Sequence, residues 1–129
     1  DKNKPYTDKS EIISEYIPQE EIKNLIQEDL PFIKAEKLKE SEKTKFLSEL
    51  NGWEINNIEG IDQLAKVFSF DNYLQALDFA KAVALLAEEE DHHPKIVLEW
   101  GRVEVHWWSH KIKGLHKNDF ICAAKTDQI

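Results

Sequence analysis

The stretch Glu88-Glu89-Glu90-Asp91-His92-His93-Pro94 places four carboxylates and two imidazoles within seven residues. A third imidazole, His110, lies farther along the chain. Imidazole is the side chain whose ordinary titration falls near neutrality, so such a group can donate or accept a proton in catalysis or bind a metal. Neighbouring acids favour the charged imidazolium, which is a poor metal ligand, and this tilts the reading toward proton transfer. A metal site with Glu88 or Asp91 as a further ligand stays open as the second chemistry, that of a metal-dependent hydrolase. Nucleophilic catalysis has no support. The single cysteine, Cys122, lies between Ile121 and Ala123 in a predicted helix and is expected to be buried. No glycine-rich phosphate loop is present.

These residues need elements to position them. The apolar positions Ala76, Phe79, Ala80, Val83, Leu86 and Ala87 recur at helical spacing, which predicts a helix capped by Asp71 and running to about Glu90. Acids at a helix C-terminus oppose the macrodipole, at a cost of about 0.3–1 kcal/mol each when exposed. Pro94 disfavours helical geometry at His93, so both histidines are expected on a turn. Lys95–Trp100 and Val103–Ser109 alternate as strands about a turn at Gly101-Arg102. In that register Ile96 lies roughly opposite Trp107, and His92, His93 and His110 share one rim of the sheet. Trp107 or Trp108 could floor a pocket there for a flat aromatic ligand.

Upstream, residues 36–50 read as a helix, Trp53–Ile58 and Leu64–Phe70 as strands around a Glu59-Gly60 turn. Downstream, Asn118 or Asp119 caps a last helix. The order α-β-β-α-β-β-α predicts an α+β fold, a four-stranded antiparallel sheet with helices on one face. Residues 1–35 read as an N-terminal extension with short helical stripes, and 36–129 as the domain. Three of the four prolines precede residue 32, and all four glycines lie at or beyond Gly52.

The net charge is −8 over 129 residues, which argues against a nucleic-acid or anionic-membrane partner. No apolar run approaches the roughly 20 residues of a membrane helix. The extension has neither a continuous apolar stretch nor an arginine, so it resembles no secretory or transit signal. A cytoplasmic protein is expected. Methionine is absent even from position 1, which reads as a processed or trimmed chain.

Glu88-x-x-x-His92-His93-Pro94, five residues to Trp100, nine to His110 and eight to Asp119 together resemble the signature of pterin-4a-carbinolamine dehydratases. Gly52-Trp53 and Phe68-x-Phe70 are similar to that family as well. The resemblance covers about residues 36–129. It implies the same fold order and conversion of 4a-hydroxytetrahydropterin to quinonoid dihydropterin and water, without metal or cofactor. It implies catalytic roles for His92, His93 and His110. Glu88, Asp91, Pro94 and Trp108 would support or bind the pterin, and Trp100 and Asp119 would complete the motif structurally. It also implies a homodimer or homotetramer. Animal members of that family serve additionally as dimerisation cofactors for a homeodomain transcription factor. Some degenerate relatives act as assembly chaperones, but those lack the histidines present here.

Overall fold

The computed structural model describes residues 36–129, so the extension expected over 1–35 lies outside the described residues. Three helices and four strands follow one another: α1 (Glu40–Ser48), β1 (Glu54–Ile58), β2 (Ile61–Ser69), α2 (Tyr73–Glu90), β3 (Lys95–Glu99), β4 (Arg102–Trp107) and α3 (Lys117–Thr126). The strands form one antiparallel sheet in the order β1-β2-β4-β3. This is the α+β arrangement expected from the sequence.

Each hairpin owes its tightness to positive backbone φ. At the first, Glu59 and Gly60 sit at φ 53° and 84°, and Ile58 pairs with Ile61. At the second the turn is Trp100-Gly101, one residue earlier than the spacing predicts. The cause is Gly101, at φ 68°, whose carbonyl accepts from the Phe70 amide at 2.8 Å. A Cβ there would lie 2.9 Å from the Phe70 carbonyl oxygen, so only glycine fits that turn position. Arg102 therefore pairs with Glu99, and Ile96 faces Val105 rather than Trp107. β4 ends at Trp107, before the expected Ser109. The chain then turns through residues 109–114, closed by a bridge between Ser109 and Gly114.

The pleat sorts side chains by face. Leu64, Val103, Val105 and Trp107 point to the helices and are fully buried. From α2, Ala76, Val83 and Ala87 meet them, as the helical spacing predicts, with Phe79, Ala80 and Leu86 partly buried beside them. α3 contributes Phe120, Ile121, Cys122 and Ala123, and the Phe120 ring lies 5.4 Å from that of Phe46 in α1. Cys122 is buried, as expected. The cap of α2 is Asn72, not Asp71. Its side-chain oxygen accepts from the Gln75 amide at 2.8 Å, while the Asp71 amide donates to the Gln75 side chain at 3.1 Å.

Candidate active site

The site begins where α2 stops. Asp91 takes the left-handed conformation (φ 53°, ψ 42°), a C-terminal position usually given to glycine. The amides of Asp91 and His92 both donate to the Ala87 carbonyl, which ends the helix and swings the chain toward β3. Of the four terminal acids, Glu90 turns inward and meets Lys125 of α3 at 2.5 Å, both side chains buried. The cation that offsets the misplaced acid thus comes from 35 residues away, in addition to the adjacent histidines. Glu88 stays exposed and lies 2.6 Å from Nε2 of His93.

His92 is inserted between two partners. Its ring stacks on Trp107, with centroids 5.5 Å apart and planes 14° from parallel. Its Nε2 lies 2.6 Å from Oδ1 of Asp119. Asp119 was expected as a cap or a structural motif residue, and the structure gives it a larger part. It is fully buried, and its Oδ2 accepts from the Ser109 hydroxyl at 2.8 Å and the His116 amide at 2.9 Å. The cap itself is His116, whose Nδ1 accepts from the Asn118 amide at 3.2 Å, with Asp119 closing a capping box.

His110 does not end the strand. It sits in the turn beyond β4, where its Nε2 donates to the His93 carbonyl at 3.2 Å and its ring stacks on Trp108 at 4.5 Å. The rim expected to gather His92, His93 and His110 therefore forms, although through a turn rather than through a longer strand. All three line one cleft of about 570 Å³, together with Asp91, Ser109, Lys111, Ile112, His116 and Asn118. Glu88, Pro94 and Trp108 are not among its lining residues; Glu88 and Trp108 touch it through His93 and His110. Trp100 stands 71% exposed at the hairpin tip, also outside the cleft lining.

The sequence points to neither His116 nor Ser109 as a site residue, and to Asn118 only as a helix cap. The signal for His116 was its position three residues before Asp119, the spacing of a capping box, with histidine in place of the usual serine or threonine. Burial depresses the His116 pKa; Asp119 pulls it up and His92 adds to the depression. Burial likewise pushes Lys117 down to about 8. Among the described residues no three His, Cys, Asp or Glu side chains converge as metal ligands. None of the described helices is long and apolar enough to cross a membrane.

A three-helix, four-strand α+β domain with a histidine-lined cleft at one sheet rim defines the class. Residues 36–129 match the description Pterin 4 alpha carbinolamine dehydratase, and the chain belongs to that family. A Vibrio vulnificus protein, provisionally named a pterin-4-alpha-carbinolamine dehydratase, is 59% identical over 75% of this chain and 88% of its own length. A similarly named Saccharophagus degradans protein is 63% identical over 64% of this chain and 74% of its own. A crystal structure described as a transcriptional coactivator/pterin dehydratase from Brucella melitensis matches with a TM-score of 0.64 at 32% identity. It covers 71% of this chain and 96% of that one. A pterin dehydratase-like protein identified as a RuBisCO assembly factor in the alpha-carboxysome matches with a TM-score of 0.51 at 25% identity, over 60% of this chain and 88% of that one.

Proposed function

We propose that this chain dehydrates 4a-hydroxytetrahydropterin to the quinonoid dihydropterin by general acid–base catalysis with histidine. The observation that carries the reading is the placement of His92 and His110 on one cleft, each with one ring nitrogen engaged by the protein. The reaction breaks the C4a–O bond after a proton reaches the hydroxyl, and releases the N5 proton as the C4a–N5 double bond forms. His92 has Nε2 committed to Asp119, a carboxylate that compensates the positive charge of the ring once Nδ1 is also protonated. That makes it the acid. His110 donates Nε2–H to a carbonyl, so its neutral tautomer offers the Nδ1 lone pair, which suits the base. His93, against exposed Glu88, orients the substrate.

A cleft of about 570 Å³ lies within the usual range for small-molecule sites and suits one bicyclic ring. The chemistry asks for no cofactor and no metal, only two placed proton carriers. The test is turnover of enzymatically generated 4a-carbinolamine with and without a strong chelator. Acceleration unaffected by chelation supports the dehydratase. Loss restored by zinc would favour a metal-dependent hydrolase.

Self-association belongs to the same proposal. α2 presents Leu74, Leu77 and Leu85 outward, 71%, 44% and 61% exposed. These apolar side chains on one helix suit packing against another copy in a homodimer or homotetramer. A monomer in sedimentation at micromolar concentration would overturn that part. The same surface is the feature that a binding role, as a dimerisation cofactor or assembly factor, would use.

A further inference from the structure

His116 lines the same cleft as His92 but has a different kind of partner. Its Nδ1 accepts a backbone N–H, that of Asn118, as the N-cap of α3. An imidazole can accept at Nδ1 only while that nitrogen is unprotonated. Protonation would set N–H against N–H and orphan the Asn118 amide at the helix start. The same residue's backbone N–H is one of three donors that hold Asp119, with Ser109 Oγ and His92 Nε2 as the others. Cap and carboxylate are therefore one unit. The acceptor side chain of His116 keeps the first turn of α3 closed, and that turn aims Asp119 at His92.

Resting on the dehydratase reading, we propose that His116 is a positioning residue, a neutral imidazole cap that holds Asp119 on His92 and lets it go when protonated. A serine or threonine at this position would cap at every pH, whereas histidine makes the cap conditional. The titratable groups that share the cleft with His116 are Asp91 from the end of α2, His92 and His93 from the loop, and His110 and Lys111 from the turn after β4; Asp119, its capping-box partner, and Lys117, the residue after it, belong to α3. Two acids stand against three other imidazoles and two lysines. A second positive charge beside His92 is disfavoured there, in keeping with the depressed His116 pKa. The unfolded chain takes up this proton first, so the contribution to stability is lost as pH falls below about 6.5.

The test uses the full chain and two variants. His116→Ala removes the acceptor; His116→Asn keeps a capping oxygen but cannot titrate. The Asn118 amide and the His92 ring nitrogens are followed by NMR from about pH 8 to pH 5 without substrate. In the parent both should move in one step with the His116 ring, and in His116→Asn that step should vanish. In turnover, His116→Ala should lower kcat about tenfold with KM changed less than about twofold, a fraction of a full general-catalysis contribution. His116→Asn should recover kcat to within about threefold and lose the parent's break on the acid side. An Asn118 amide that stays fixed while His116 titrates would overturn the proposal. So would a His116→Ala kcat equal to the parent's per folded molecule. Absence of turnover in the parent, with the NMR step intact, would support the coupling and refute the dehydratase.

Discussion

His92 and His106 are both held against a carboxylate, on opposite sides of the same sheet. His92 stacks on Trp107, whose side chain faces the helices, while His106 is the residue just before Trp107 in β4 and faces away. His106 has both ring nitrogens engaged at 3.1 Å, Nδ1 by Gln63 and Nε2 by Glu104, and only 6% of the residue is exposed. Glu104 is itself tied to Arg102, which also reaches Glu99. The result is a closed polar ladder across strands β2 and β4. His92 has one nitrogen engaged by Asp119 and lines an open cleft. A histidine–carboxylate contact is thus no mark of a site by itself. What separates the two is a ring edge left for a ligand.

The comparison breaks most sharply at the cleft histidines. His92→Ala should lower turnover by about 10²-fold or more, since a proton carrier is lost. His106→Ala should leave kcat within about twofold; equal losses in the two variants, measured per folded molecule, would dissolve the distinction. Asp119→Asn comes next. It keeps the shape but removes the charge that faces His92, and kcat should fall about tenfold, less than for loss of the ring. A kcat unchanged in this variant would make Asp119 a helix cap and nothing more.

On the closed side the expected effect is on stability. His106→Ala leaves Gln63 and Glu104 without their ring partner and should cost about 1–3 kcal/mol in denaturant unfolding. A neutral result would show that water replaces the ring at no cost. The smallest effect concerns Lys117, whose folded pKa of about 8 lies below its ordinary value. The unfolded chain binds this proton more tightly, so stability from this group should rise as pH climbs from about 8 toward 10. Lys117→Met should flatten that rise, and an unchanged slope would assign it to other groups.

Element order and the buried face of α2 were legible in the sequence because both rest on local periodicity. Ala76, Val83 and Ala87 face the core where helical spacing puts them, and Glu59-Gly60 turns where it should. The second hairpin was displaced by one residue because the deciding contact is not local. Gly101 must approach the Phe70 carbonyl, thirty-one positions earlier in the chain, and no dipeptide rule encodes that. The shift moved the strand partner of Ile96, yet the rim still formed, since the turn after β4 carries His110 back to the His93 carbonyl. The inward turn of Glu90 onto Lys125 and the seating of Asp119 under His92 are likewise long-range contacts. His116 is hidden for a different reason: histidine is an unusual helix cap, so its spacing to Asp119 lacks the serine or threonine that marks a capping box.

The central claim is that His92 and His110 carry the protons of a pterin dehydration. Its most direct measurement is the decay of 4a-carbinolamine absorbance, corrected for the uncatalysed rate, with the parent protein and with the double variant His92→Ala/His110→Ala. The account predicts clear acceleration by the parent and a rate near the uncatalysed one with a folded double variant. A double variant that is folded and still matches the parent's acceleration would contradict it.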